Sequence, residues 1–546
     1  MKIATPSLPS RVLTLYLALS QSHAAATAAT AATAATADAD AAASATKTLS
    51  FPSSQPTNAV PAPPDFVSLG FETAFLDNYA NAFSANLVAS LAGRMSAAPV
   101  LRVGGTSGDR VQFDPALRDA NKTCVKGACP DGSDASFVLG PGYFDAFRSF
   151  PTARWTFQAP LGDGVYNRTQ LLAYVERAWE AAAAGEEDRV DAIALGNEPS
   201  MYWKTAKEYR EGAARAQAAI VKALGLGDRK IFQVAETIKP AAMSHSPYAA
   251  QEVFEAGFDS DATVKTVGEH WYQGTATTFD IEALQADLMN HTAITNRFPG
   301  YLKSLDAVQP TAAYTLSETG STIARGVPLA YASGFGAALW SADFQLAAMS
   351  RRVRRVVSSG RPVAKHAPWV PDDSSGGGPA VRALWAASMF VADFVGKDKR
   401  RSVLEVPLGG GGEALASAYV MYDDDDDDDG TASSKAADRV ALVNLKAWEA
   451  ASDQDRGSLA FAVPVVKGTD SVKVRRLRAD AGAWATGFDE GGAEENVTWA
   501  GEQWTYKVDK GKGHYVDGKL EEQTVKVQDG RAVVNVPDTE AVIVYL

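Results

Sequence analysis

The chain is poor in cysteine, has no excess of basic residues and contains no long apolar run, and each shortage removes a class of protein. Two cysteines, Cys124 and Cys129, occur in 546 residues. With no histidine near them they make only half of a four-ligand zinc shell, so no metal site is expected. Lysine and arginine number 52 against 65 acids, a formal charge of −13. A surface for nucleic acid or another polyanion needs the opposite balance. Seven of the acids form one run, Asp423 to Asp429. Like charges repel and stay extended, so the run reads as a solvated loop rather than a calcium site. Val12 to Leu19 is apolar but too short for a bilayer, and no later segment is long enough, so no membrane span is expected. Internal repeats are absent. Gly104-Gly105-Thr106-Ser107-Gly108 is glycine-rich but lacks the Lys-Ser/Thr of a phosphate loop.

What is present fits a soluble globular protein. Hydrophobic residues make up 46% and charged residues 21%, enough for a full core. The length exceeds one ordinary domain and points to two domains with appendages. At the start, Lys2 and Arg11 precede the short apolar stretch, and small residues follow at Ala24 to Ala26. This is the pattern of a secretory signal over residues 1–26, and the chain is expected to be secreted. In that compartment Cys124 and Cys129 are expected to pair as a disulfide and staple a surface loop. Asn121, Asn167, Asn290 and Asn496 each head an Asn-X-Ser/Thr acceptor tripeptide for glycosylation. Residues 27–50 form an Ala/Thr-rich leader with no apolar period to drive packing.

From Asp65 onward short apolar runs alternate with helical patterns. Strands are expected at Phe66–Phe71, Val100–Gly104, Trp155–Ala159, Ala192–Gly196, Ile231–Ala235, Thr266–His270, Tyr314–Ser317 and Gly336–Trp340. Between them Asn78–Met95, Thr169–Ala184, Thr205–Leu224, Ile281–Leu302 and Phe344–Val357 carry helical spacing of apolar residues. Eight strand-then-helix units predict an α/β fold, a (β/α)8 TIM barrel, over residues 51–398. An open doubly wound sheet is the rival, disfavoured because no glycine-rich phosphate turn follows the first strand. Over residues 399–546 the runs become short and alternating: Val403–Pro407, Ala418–Tyr422, Val440–Leu445, Leu459–Val463, Val472–Leu477, Trp504–Val508, Thr524–Val527, Ala532–Val536 and Ala541–Tyr545. That predicts a C-terminal antiparallel β-sandwich, to which Thr48–Phe51 adds a strand.

In a (β/α)8 barrel the chemistry sits at the C-terminal ends of the strands. Glu198 ends the fourth expected strand, in Leu195-Gly196-Asn197-Glu198-Pro199. Glu318 ends the seventh, in Leu316-Ser317-Glu318-Thr319-Gly320. Either alone reads as a surface charge or a helix-cap neighbour. Together, at two strand ends of one barrel, they are the two carboxylates that glycoside hydrolysis requires. Asn197 is placed to bond a sugar 2-OH. His270 and Tyr272 share one face of strand six by period-two alternation and are placed to orient the nucleophile and keep it ionised. Arg102 lies inside an apolar strand, and a buried arginine needs a carboxylate partner. Glu72 ends strand one, where it binds sugar hydroxyls or caps the next helix. Trp340 and Asp343 are read as packing and helix-start residues.

These pieces resemble glycoside hydrolase family 79, the β-glucuronidase and heparanase family of the clan A glycosidases. The matching segments are Ser68-Leu69-Gly70-Phe71-Glu72, Leu101-Arg102-Val103-Gly104-Gly105-Thr106, Gly196-Asn197-Glu198-Pro199, His270-Trp271-Tyr272, Ser317-Glu318-Thr319 and Ala337-Ala338-Leu339-Trp340-Ser341-Ala342-Asp343. The resemblance spans roughly Asp65 to Leu546, because the family also carries a C-terminal β-sandwich. It implies that Glu198 is the general acid/base, Glu318 the nucleophile, and the reaction retaining, with no metal or organic cofactor. It further implies that the loop after the nucleophile meets a uronic acid carboxylate. Here that loop offers Gly326, with Arg325 where a second glycine is expected, and an arginine can itself pair a carboxylate. Downstream, Gly378 to Trp385 lacks the family's tyrosine.

The expected partner is therefore a glycan or glycoside substrate, with terminal β-linked uronic acid removed from extracellular glycans. The rival readings are an endo-acting heparanase-like or neutral-sugar hydrolase, and a non-catalytic carbohydrate-binding protein on a degenerate barrel. The presence of both glutamates argues against the last. The oligomeric state is not encoded in any pattern found.

Overall fold

The structure, a computed structural model, describes residues 46–124, 137–162, 168–238, 247–409, 414–424, 435–488 and 497–546. The expected signal, Cys129, Asn167, Asn496 and Asp425 to Asp429 lie outside the described residues. No helix among the described residues is long and apolar enough to cross a membrane.

Eight strands close into a parallel barrel: β1 (Val67–Glu72), β2 (Val100–Gly104), β3 (Arg154–Ala159), β4 (Val190–Leu195), β5 (Phe232–Ile238), β6 (Val264–Tyr272), β7 (Ala313–Gly320) and β8 (Arg355–Gly360). Each pairs with its neighbour in sequence, and β8 closes on β1 with Gly360 opposite Phe71. The strands are buried on both faces, which is why they read as apolar runs. Around them stand helices α1 (Ala82–Ala92), α2 (Arg168–Ala183), α3 (Ala206–Leu224), α4 (Phe335–Ser350) and α5 (Ala383–Val395).

Several expectations need correction, among them the helix expected over Phe344–Val357, which ends at Ser350 and whose last residues belong to β8. Gly336–Trp340, expected as the eighth strand, lies inside α4, and the eighth strand is the later Arg355–Gly360. Phe335 to Met349 are all buried. A helix with no polar face has no 3.6-residue period to betray it, so its apolar run imitates a buried strand. The helix expected over Ile281–Leu302 is broken into Ile281–Asp287, His291–Thr295 and Phe298–Val308. Asp280 and Asn290 cap the first two, accepting hydrogen bonds from Ala283 N (2.8 Å) and Ala293 N (2.9 Å).

The C-terminal strands are β9 (Arg401–Glu405), β10 (Ala416–Asp423), β11 (Ala437–Asn444), β12 (Ser458–Pro464), β13 (Ser471–Ala479), β14 (Gln523–Gln528), β15 (Arg531–Pro537) and β16 (Glu540–Tyr545). They run in the order β12-β15-β14-β13-β16-β11-β10-β9, and these pairs are antiparallel. Residues before the barrel extend both ends: Lys47–Thr48 pairs with β12 and Val60–Pro61 with β9. Alternation sorts β10 between two cores. Ala418, Val420 and Tyr422 fill the interior of the folded sheet, while Tyr419 and Met421 join the core of the barrel. Trp504–Val508, expected as a strand, is a turn instead. Its aromatics are satisfied by α1 rather than by a sheet: Trp504 Nε1 donates to Ser90 Oγ at 2.9 Å, and Tyr506 packs edge-on against Phe83.

Candidate active site

The carboxyl end of β4 turns sharply. Gly196 has φ 80° and Glu198 φ 42°, a left-handed conformation that costs a non-glycine residue energy and survives only where contacts impose it. Those contacts are visible. Asp109 accepts from Leu161 N (2.8 Å) and Asn197 N (3.0 Å), and Glu198 N donates to the carbonyl of Glu236 (2.9 Å). Burial pushes the Asp109 carboxyl up to about 7, against the pull of its two backbone donors. Glu198 Oε1 lies 3.0 Å from His270 Nδ1. Its Oε2 is buried with no partner, the only carboxylate oxygen in that state among the described residues.

Glu318, near the end of β7, is held from two sides. Arg102 Nη1 donates to Oε2 at 2.9 Å and Tyr272 Oη to Oε1 at 2.7 Å. His270 Nδ1 stands 4.0 Å away. Burial alone would raise this carboxyl; His270, Arg102 and the Tyr272 hydroxyl outweigh it and hold it down to about 2. Gly320 gives Tyr272 its room, since a Cβ there would lie 2.8 Å from Tyr272 Cε1 and 2.9 Å from His366 Cδ2. One oxygen from each of Glu198 and Glu318 and a nitrogen of His270 all lie within 4.8 Å of one another. That geometry could hold a cation, but the positive charge is already supplied. Arg102 is raised above its ordinary value by Glu236 and Glu318 despite its burial. His270, which burial would lower, is lifted to about 10 by Glu318, Glu198 and Glu236.

Of the residues singled out from sequence, Glu198, Glu318, Asn197, His270, Tyr272 and Arg102 come together. Asn197 Oδ1 accepts from Arg102 Nη2 at 2.7 Å, which leaves its amide nitrogen for a ligand. Glu72 sits at the end of β1. Its Oε1 accepts from Ser107 N at 2.6 Å, and the carboxyl packs where a Cβ on Gly105 (φ 90°) would stand. That contact, not a phosphate, explains the glycine-rich turn. Burial raises Glu72, opposed by the charge of Arg361. Arg325 and Gly326 lie in an exposed turn with no hydrogen bond or ion pair to the carboxylates among the described residues. Trp340 is buried and stacked on Phe344 at 5.2 Å, so it packs. Asp343 lies mid-helix rather than at a helix start and binds His291, Ser417 and Tyr419. The side-chain amide of Asn121 donates to Ala74 O at 2.8 Å, and Asn290 caps its helix. The expected partner of Cys124, Cys129, is not among the described residues.

Sequence reasoning missed Glu236, Asp109, Arg361 and His366. Glu236 is fully buried on β5. It accepts from Arg102 Nη2 at 2.6 Å and from the Gln233 side-chain amide, and its Oε2 lies 3.2 Å from His270 Nε2. The signal was available: Glu236 directly follows the expected fifth strand, as Glu198 and Glu318 follow theirs. Arg361 directly follows β8 and is exposed at its carboxyl end. His366 packs edge-on against Tyr272 with centroids 5.4 Å apart and is kept neutral by burial, at about 4.

Residues 418–543 match the family model described as the glycosyl hydrolase family 79 C-terminal beta domain. The chain is 26% identical over 529 residues to a beta-glucuronidase of Aspergillus niger, covering 89% of this chain and 92% of that one. It is 26% identical over 360 residues to a beta-glucuronidase of Neurospora crassa, covering 60% and 63% respectively. Among solved structures it resembles a 4-O-alpha-L-rhamnosyl-beta-D-glucuronidase of Fusarium oxysporum 12S. The TM-score is 0.73 at 19% identity, with 91% of this chain and all of that one covered.

Proposed function

We propose that this chain, whose residues 418–543 match the glycosyl hydrolase family 79 C-terminal beta domain and which is similar to two beta-glucuronidases, is a secreted, retaining β-glucuronidase-type enzyme of that family that removes terminal β-linked uronic acid from extracellular glycans. The observation that carries this reading is the contrast between the two glutamates. Glu318 is tied by two donors and ionised at about 2, as a nucleophile must be. Glu198 keeps one buried oxygen without a partner, free to hand a proton to a leaving group.

In the first step Glu198 protonates the glycosidic oxygen. A Glu318 oxygen bonds the anomeric carbon as the bond to the leaving group breaks. In the second, Glu198 takes a proton from water, the water oxygen bonds the same carbon, and Glu318 leaves. The 4.8 Å limit on the oxygens of the pair supports retention, which uses carboxyl groups about 5–5.5 Å apart rather than about 6.5–9.5 Å. Asn197 offers its amide to the sugar 2-OH, and Glu72 lines the pocket beside β1. Arg325 and Gly326, just beyond Glu318, supply the contacts for the uronate carboxylate. The names of the relatives support a glucuronide, and the signal-like first 26 residues support export.

A panel of chromogenic β-glucuronide, β-glucoside, β-xyloside and β-galactoside tests the reading. The glucuronide is expected to be turned over with preference, and Glu318→Gln to abolish turnover. Preferred turnover of a neutral sugar would overturn the substrate, and an active Glu318→Gln variant would overturn the nucleophile.

A further inference from the structure

The site holds a third carboxylate that the two-carboxylate mechanism does not use. Glu236 is fully buried, yet nothing in glycoside hydrolysis requires it. A buried carboxylate is costly unless paired, and the backbone is distorted to put it there. Ala235 has φ 73° and Glu236 φ 50°, and the register of β5 against β6 slips between Ala235 and Thr237. Two successive left-handed non-glycine residues at a bulge mark a side chain aimed on purpose.

Its charged neighbours belong to the site. From β2, Arg102 Nη2 donates to Glu236 Oε2 at 2.6 Å while its other terminal nitrogen holds Glu318. From β6, His270 Nε2 lies 3.2 Å from the same oxygen while its Nδ1 faces Glu198 at 3.0 Å. Gln233 on β5 donates to Oε1. The Glu236 carbonyl holds the amide of Glu198 after β4, and Tyr209 of α3 feels its charge. From β7 come Glu318 and Ser317, the latter packed with Glu236 Oε1 against Gly268. Tyr272 completes the set through Glu318.

We propose that Glu236 is a positioning residue, the counter-ion that keeps His270 an imidazolium and aims both His270 and Arg102 at the reacting pair. The charges then close. Arg102 and His270 supply two positive charges, Glu236 and Glu318 two negative ones, and Glu198 enters the reaction as a neutral acid. When Glu198 gives up its proton, Glu318 loses its charge to the new bond with the sugar, so the buried site stays balanced through the step. The imidazolium, lying against Glu198 Oε1, is there to receive the new carboxylate. The directions agree: burial would raise Glu236, but Arg102 and His270 hold it below the usual carboxylate range.

The inference rests on Glu198 and Glu318 being the reacting pair, and its test reads a different residue. Nitrogen NMR of 15N-histidine-labelled full-length protein follows the His270 ring, assigned by its loss in His270→Gln. In the native protein the ring is expected to stay doubly protonated to pH 8 and above. In Glu236→Gln its midpoint falls by about 2 pH units, the scale on which one adjacent charge acts. The same variant lowers kcat on the chromogenic β-glucuronide about a hundredfold with KM little changed, as misplacement of reacting groups does. Glu236→Asp restores part of both. A native His270 that loses its proton near pH 6.5 overturns the proposal, whether or not any variant folds. So does an unchanged midpoint in Glu236→Gln. Full activity in Glu318→Gln would sink the proposed reaction while leaving the His270 titration as measured, so the two failures are distinguishable.

Discussion

A single hydroxyl helps to set the charge of Glu318, the proposed nucleophile. Tyr272 Oη donates to Glu318 Oε1 at 2.7 Å, and a hydrogen bond to a charged group contributes roughly 1.5–3 kcal/mol. Because the donor favours the ionised carboxylate, it helps to hold Glu318 at about 2. Glu318 is therefore ionised at any pH above that value. Tyr272→Phe is expected to keep the fold and to lower kcat/KM by about ten- to a hundredfold, the rate equivalent of that energy. It should also move the acidic limb of the pH–rate profile upward, since the lost donor stabilised the charged form. A limb that stays where it was would show that Arg102 and His270 suffice.

At the scale of the element, α4 joins barrel to sheet through charge rather than amphipathic packing. Asp343, at its centre, accepts from His291 Nδ1 (2.9 Å), Ser417 Oγ (2.6 Å) and Tyr419 Oη (2.7 Å). His291 Nε2 also faces Glu405 of β9 at 3.2 Å. Burial would lower His291, but Asp343 and Glu405 outweigh it and lift it to about 10. Its unfolded value is about 6.5. A group raised on folding contributes stability that is fully present below the unfolded value and is lost as pH rises through the folded one. The thermal midpoint is thus expected to fall progressively between about pH 6.5 and pH 10. Asp343→Asn leaves the buried His291 cation with only Glu405 as a charged partner and should cost up to about 3 kcal/mol and flatten that slope. Calorimetry across the pH range measures both, and an unchanged midpoint for the variant would remove Asp343 from the joint.

Across the whole molecule, a buried ion-pair cluster and the proposed active site lie at opposite ends of the barrel. At the amino-terminal mouth, Asp191 binds Arg154 (2.6 Å), Lys265 (2.9 Å) and Arg355 (2.9 Å), and Asp65 binds Arg355 (2.8 Å) and Arg354. These residues begin or flank β1, β3, β4, β6 and β8, so the cluster ties the closing strand to the others. Burial would raise both aspartates, but the cations around them, Arg355 foremost, hold both below the ordinary range. A depressed carboxyl contributes stability that is present above the unfolded value, about 3.9, and is lost as pH falls through the folded one. Arg355→Met is expected to lower stability by about 3–5 kcal/mol and to move acid unfolding to higher pH. The kcat of the folded enzyme at neutral pH should be unchanged, because the proposed active site lies at the other end. Acid titration by circular dichroism, with kcat measured in parallel, tests the separation, and a loss of kcat in folded protein would refute it.

Much of this was legible in the chain. Seven of the eight barrel strands follow from apolar runs, because a strand buried on both faces is mostly apolar. Glu198 and Glu318 follow from their place at the ends of two such runs, and His270 with Tyr272 from alternation along β6. Three things were not legible. The all-buried α4 has no polar face and so passes for a strand. The residues after β8, among them Arg361 and His366, could not be placed until β8 itself was found. The bulges were hidden too. Register slips between Ala235 and Thr237, Glu269 and His270, and Leu316 and Thr319, in each case at a residue of the site. A bulge depends on which neighbour a strand pairs with and where, which no local pattern records. Local pattern thus names the two carboxylates proposed to react, while pairing across the closed barrel brings Glu236 beside Arg102 and His270 and sets the charge around them.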